Sequence, residues 1–334
     1  MPSDMKCMRR TLLRAILAIQ ACASLTPSLA SAQATPPPLS LQLHSEKSRY
    51  VLGEPVYVQL RLRNAASIAV QPRAPLDPKY GESVIQITDP SGSQRPFTPL
   101  TLVEVGEAEV TIPPGEQIAA VAPVFFGADG WTFRQPGEYV VQAFWKDSGA
   151  TREISSNSLR LQIIAGDGAG TRLVSNDEAS LEAGKFLVWQ AGDHLSQGRA
   201  LLHAITREHP ASTVSQHARL AEGTNLSRPF KDFSVGKVRQ ADPLAALGLL
   251  QQVNEAVLPG HLLLQKRLDE ATSLTRLGDW TEVAHRWSQI RSDLDKDVSL
   301  TQFLQPVLQL ERAMLSNPEG VIARTQARVQ SGVP

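Results

Sequence analysis

Residues 50–64, Tyr-Val-Leu-Gly-Glu-Pro-Val-Tyr-Val-Gln-Leu-Arg-Leu-Arg-Asn, decide the fold of the first half of this chain. From Val56 onward, Val56, Val58, Leu60 and Leu62 share one side, with Tyr57, Gln59, Arg61 and Arg63 on the other. A period of two sends alternate side chains to opposite faces of a strand. One apolar face and one polar face predict an antiparallel sheet with one side on a core, not a parallel strand buried on both. Upstream, Leu39, Leu41 and Leu43 alternate with Ser40, Gln42 and His44; downstream, strands are predicted at 84–88, 118–126, 139–145 and 159–164. Proline and glycine punctuate the intervals, as in a β-sandwich, here expected over residues 39–165.

Near residue 170 the apolar spacing changes to three or four, the period of an amphipathic helix. The small residues Ala165, Gly166, Gly168, Ala169 and Gly170 predict a linker over 166–176. Ser175 with Glu178 three residues on reads as a capping box. Further helix starts are expected at Thr213 with Gln216, at Asp242 before Pro243, and at Asp279 with Glu282. An apolar stripe runs through Leu300, Phe303, Leu304, Val307 and Leu308 to Met314 and Leu315, with Pro306 inside it. The fold class expected is therefore all-β plus all-α: an N-terminal antiparallel sandwich, then helical hairpins over 177–330.

Two phrases carry a resemblance in the first half. The Tyr-x-x-Gly-Glu-x-Val of residues 50–56 and the corner Pro136-Gly137-Glu138-Tyr139 resemble those of bacterial extracytoplasmic immunoglobulin-like and macroglobulin-type domains. The resemblance implies an immunoglobulin-like sandwich and no particular ligand. In the second half, Leu277-Gly278-Asp279-Trp280-Thr281-Glu282 with Trp287, and residues 198–210, resemble tetratricopeptide-type repeats. Val283 and Ile290 stand where such repeats usually have alanine, and no clean 34-residue period emerges.

Residues 1–32 read as a secretory signal peptide: Lys6, Arg9, Arg10 and Arg14, an apolar run, Pro27, then Ala30-Ser31-Ala32 with cleavage after Ala32. Residues 33–38 form a proline-rich spacer. A lipid anchor at Cys22 is the competing reading, disfavoured because Arg14 lies close before the cysteine. The two cysteines, Cys7 and Cys22, both lie in the leader, so the mature chain would have no thiol chemistry and no disulfides. The full chain carries 33 basic and 33 acidic residues; removing the leader leaves 29 against 32. That balance gives no general attraction for nucleic acid, and no apolar run is long enough for a transmembrane span.

The candidate sites are few. Residues 166–170 lack the buried strand before and the helix start at once after that a phosphate-binding loop needs, so a linker is expected. Asp293, Asp295 and Asp297 have the spacing of calcium-loop ligands, but Val298 and Leu304 occupy the places of the glycine and the last acid. His203, His209 and His217 show no metal-ligand spacing. No cofactor is implied, and no catalytic motif appears. Aromatics beside the Asp129-Gly130 turn, Trp131 and Phe133, and the pair Trp280 and Trp287, are weighed as partner-binding residues against ordinary core roles. The expectation is an exported, non-enzymatic binding or scaffold protein of the bacterial envelope, periplasmic or secreted, engaging protein or peptide. The alternatives are a carbohydrate-active or hydrolase-like accessory protein with its site at the domain junction, and an inhibitor role for the sandwich.

Overall fold

A computed structural model describes residues 39–104, 110–147, 153–166, 168–233 and 235–296, with positions 320 and 323. The expected leader, spacer, Cys22, Asp297 and the stripe beginning at Leu300 lie outside the described residues. Eleven strands come first among these: β1 (Leu39–His44), β2 (Arg49–Val51), β3 (Tyr57–Asn64), β4 (Ser83–Thr88), β5 (Gln94–Phe97), β6 (Gln117–Pro123), β7 (Phe126–Gly127), β8 (Gly130–Trp131), β9 (Gly137–Trp145), β10 (Ile154–Ser155) and β11 (Leu159–Ile164). They form one sheet in the order β1-β3-β6 and a second in the order β2-β11-β9-β4-β5, with β10 on β9 and a small β7-β8 ribbon. Pairing is antiparallel except for β2, which runs parallel to β11.

Period-two alternation explains which faces meet. Val58, Leu60 and Leu62 of β3 are fully buried, and Tyr139, Val141, Ala143 and Trp145 of β9 fill the facing side. All belong to one apolar core with Leu41, Leu43, Ile85, Ile87 and Leu161. At the corner before β9, the Tyr139 hydroxyl donates to the Gln135 carbonyl at 3.1 Å, which fixes where that strand starts.

Helices follow: α1 (Ala169–Leu173), α2 (Glu178–Trp189), α3 (Ser196–Glu208), α4 (Thr213–Ser227), α5 (Pro243–Leu250), α6 (Gly260–Leu277) and α7 (Trp280–Lys296). Between α4 and α5 stands a hairpin of β12 (Phe230–Asp232) and β13 (Lys237–Arg239). Each helix from α2 to α7 packs on the next, and α4 also touches α2 and α6. Caps set several starts: Asp177, Ser212 and Asp242 each accept a backbone N–H three residues on, and Pro243 opens α5. Helix lengths of 12, 13, 15, 8, 18 and 17 residues are not those of a uniform repeat.

The separation into two modules needs correction. The sandwich core continues without a break through Ala169, Leu173, Phe186, Leu202 and Val214 to Ala221. The expected linker holds α1, whose Ala169, Gly170 and Leu173 are buried. A Cβ on Gly170 would lie 1.7 Å from the Leu52 carbonyl oxygen, so the glycine permits contact between the β2–β3 turn and α1. Nearby, the Trp131 indole donates to Ser180 Oγ at 2.8 Å, joining β8 to α2. Described sandwich and helices belong to one compact unit. A mixed α and β body with a shared core replaces the all-β plus all-α division.

Candidate functional site

Where β1, β3 and the intervening loop face α4, the start of α6 and the end of α7, a cleft of about 320 Å³ opens. Sequence-distant segments build it. His44, Ser45, Glu46 and Lys47 leave β1; Tyr57, Gln59 and Arg61 lie on the polar side of β3; His217 comes from α4; Gly260 and His261 begin α6; Asp293 and Lys296 end α7.

The loop side is held by its own polar groups. Glu54, 5% exposed, folds back so that one carboxylate oxygen accepts from Lys47 Nζ at 2.5 Å and the other from Val51 N at 2.9 Å. Ser45 Oγ and Tyr50 Oη are 2.5 Å apart. Burial is the main cause that raises the Tyr50 hydroxyl above its ordinary range. Two bonds tie the loop to the helices: Lys47 Nζ reaches the Val257 carbonyl at 3.4 Å, and Gly260 N donates to Glu46 Oε1 at 2.8 Å. The second puts a carboxylate at the positive end of the 18-residue helix α6, where it is favoured.

The floor is aromatic and uncharged at neutral pH. Tyr57 meets His261 edge-on with ring centroids 4.7 Å apart, and packs on Phe125 at 5.8 Å. Burial of its hydroxyl end pushes the Tyr57 hydroxyl up, although the residue as a whole is only half-buried. His217, 3% exposed, is held down to about 3 by burial first, then by the charges of Lys47 and His261. Burial also lowers His261, to about 4. Neither imidazole is cationic at pH 7, so the floor offers ring faces and hydrogen-bonding edges rather than charge.

Charge sits at the rim. Asp293 is bound by Arg267, which also pairs with Glu255 at 3.1 Å. Behind the cleft, α6 buries further ionic groups. Lys266, 3% exposed, reaches Glu255 and Glu270 at 2.8 Å each; Glu270 in turn faces Arg286 at 3.1 Å. Asp269, 2% exposed, accepts from Thr224 at 2.8 Å, Gln265 at 2.9 Å and Arg228 at 2.9 Å. Such groups are buried only with partners, and here they fix α6 against α4 and α7.

The predicted site residues lie elsewhere. Trp131 and Phe133 are 2% and 4% exposed, so the structure assigns both to the core instead of a partner-binding loop. Phe133 packs edge-on against Tyr139 at 5.0 Å. Trp287 is buried among Leu264, Val283 and Ile290, with Trp280 half-buried at the margin of that cluster. Asp293 and Asp295 stand in the last turns of α7, a helix and not a loop. His203 lies 3.9 Å from Glu222, whereas His217 is in the cleft. Among the described residues no group of three or more His, Cys, Asp or Glu could hold a metal ion, and no helix is long and apolar enough to cross a membrane.

Sequence reasoning missed Lys47, Glu54, Tyr57 and His261 as members of a site, and weighed His217 for metal binding alone. Glu54 sits inside the corner phrase at residues 50–56, but nothing in the sequence connects that phrase with position 261.

No family model matches the chain, and no curated protein matches it. Several solved structures match part of the chain. The CARDB domain of the PF1109 protein from Pyrococcus furiosus, in complex with di-metal ions, is 12% identical over 38% of this chain and 87% of that one, with a TM-score of 0.23. Spo0M, a sporulation control protein from Bacillus subtilis, is 14% identical over 46% and 54%, with a TM-score of 0.25. A beta-glucosidase from Listeria innocua in complex with isofagomine is 16% identical over 38% of this chain and 16% of its own, at 0.22. Likenesses of that size establish neither a family nor an activity.

Proposed function

We propose that this chain is an exported binding or scaffold protein of a bacterial envelope that holds a protein or peptide partner, without turnover, in the cleft between sheet and helices. One observation carries the reading: a cleft of about 320 Å³ with an aromatic, uncharged floor and a charged rim, both fixed by bonds made before any ligand arrives. Pockets that combine apolar faces with a few placed polar groups suit recognition. Ser45 bonds to Tyr50 and to the Tyr57 carbonyl, and Glu54 to Lys47, so these side chains serve the frame. Export rests on the basic and apolar leader of residues 1–32. The immunoglobulin-like reading of the sandwich is supported by the Tyr139 corner bond, and the tetratricopeptide-like reading of α2–α7 by their consecutive packing.

A second reading, carbohydrate binding or processing, draws on Glu46, Glu54 and Asp293 beside Tyr50 and Tyr57 in the same cleft. One experiment separates the two. The full chain and a variant with the cleft filled, Gln59→Trp, are challenged with a random peptide library and with a glycan array. Peptides retained by the parent and lost by the variant are expected. Retention of glycans alone moves the protein to the second reading; ligands held equally by both forms, or none, refute the cleft as the binding site.

A further inference from the structure

The hairpin β12–β13 stands out of the helical layer with its apolar side chains in water. Phe233 is 83% exposed, Val235 62% and Val238 53%; Leu244, in the first turn of α5, is 72% exposed. Scattered exposed apolar residues are ordinary, but three on one short hairpin, with Leu244 a few residues on, are a concentration of the kind that marks contact surfaces.

The root of this hairpin is firmly fixed. Arg239 donates from Nε to Asp193 at 2.6 Å, from Nη2 to the Asn225 carbonyl at 2.8 Å and from Nη1 to the Arg228 carbonyl at 3.2 Å. Phe230 stacks on His194 with centroids 6.0 Å apart.

Charge identifies the surface that suits it. Residues 228–239 contain Arg228, Lys231, Lys237 and Arg239 against Asp232 alone, in a chain whose total charge is balanced. Arg228 and Arg239 are bound to Asp269 and Asp193. Lys231 and Lys237 are exposed; Lys231 pairs with Val238 in the hairpin and its Nζ lies 4.9 Å over the Phe233 ring, while Lys237 stands opposite Asp232. Apolar side chains flanked by lysines match the boundary where acyl chains meet anionic headgroups. We propose that this hairpin docks the protein on an anionic lipid surface, with Phe233 and Val235 entering the acyl boundary and Lys231 and Lys237 at the phosphates.

The test is sedimentation of the full chain with vesicles of phosphatidylcholine, alone or mixed in equal parts with phosphatidylglycerol, at low salt. Binding to the anionic vesicles is expected to exceed binding to the neutral ones at least about tenfold, from about 1 kcal/mol per lysine near the surface. Lys231→Gln with Lys237→Gln should remove most of that preference. Phe233→Ser with Val235→Ser should abolish binding, and Phe233→Trp should keep it. All four positions are exposed, so unchanged thermal melting checks that the variants fold. No sedimentation with anionic vesicles, equal binding to neutral ones, or variants that sediment like the parent would each overturn the proposal; the first of these is also what a hairpin built for a groove on a partner protein would give. None of these outcomes bears on the cleft.

Discussion

Lowering the pH from 7 to 5 should loosen the junction between sandwich and helices, and His217 sets the size of the effect. Its folded value is about 3 against 6.5 for a free imidazole. A depressed base binds its proton more readily when unfolded, so stability is complete above 6.5 and is lost as pH falls toward the folded value. Between pH 7 and 5 the unfolded chain takes up the proton and the folded chain does not, which costs about 2 kcal/mol for this residue alone. His261, held to about 4, would add nearly as much by the same reasoning; because it is less completely covered, its share is discounted to about 1 kcal/mol. Carboxylates contribute little in this window. Glu222, pulled down to about 2 against the opposing effect of burial by the neighbouring His203 and by its bonds from Arg199, loses its contribution only below the ordinary carboxylate range near 4.5. The groups facing His217 are Lys47 from the β1–β2 loop and His261 from α6, both cationic or neutral, so neither rescues an imidazolium there. Urea unfolding followed by circular dichroism at both pH values measures the difference. His217→Leu should flatten the dependence by about 2 kcal/mol whatever it does to stability at pH 7. An unchanged slope in the variant, or a parent equally stable at both pH values, would refute the reasoning.

Three further outcomes follow from the same contacts. Gly170→Ala places a methyl against the Leu52 carbonyl, backbone on backbone, and should cost about 3 kcal/mol, seen as a lower urea midpoint. Trp131→Phe removes the indole bond to Ser180 and leaves a void between β8 and α2; a loss of about 2 to 3 kcal/mol is expected by thermal melting. Asp269→Ala strips the shared acceptor from Thr224, Gln265 and Arg228 and should cost about 3 kcal/mol in urea unfolding, with Asp269→Asn costing less because the amide oxygen still accepts.

Strand periodicity was the readable part of this fold, because alternation survives whatever the strand packs against: β3 and β9 bury the residues their patterns indicate. The starts of α2, α4, α5 and α7 were readable to within a residue or two, and those of α3 and α6 were not. Asp242 with Pro243 caps α5 as expected, while α4 begins at the cap Ser212 and α2 at Asp177, since the cap depends on how the preceding chain arrives. The helix α4 was the least readable. Ser215, Gln216, His217, Glu222, Thr224, Asn225 and Ser227 are all buried, so the innermost helix carries no apolar stripe. Its polar groups are bonded to neighbours from Asp193 to Asp269, which no local pattern encodes. The small residues around 166–170 misled for a related reason. Composition does not distinguish glycine used for freedom from glycine used for close approach, and here Gly170 serves approach.

The shared core also bears on how the cleft would work. Two domains on a flexible linker would close over a ligand by hinge motion, at the entropic cost of ordering both walls. Here the wall from β3 and the wall from α4 and α6 are joined beneath the floor. Tyr57 packs against the cluster of Leu220, Leu250, Leu258 and Leu262, while Phe125, its ring neighbour, belongs to the sandwich core. Gly170, Trp131 and Ser180 join the same sheets to α1 and α2. Opening the cleft by rigid rotation would expose that interface, and packed cores resist continuous deformation. A ligand at Tyr57 and His261 would therefore meet walls already in place, with the rim side chains Lys47, Arg61 and Lys296 left to set selectivity.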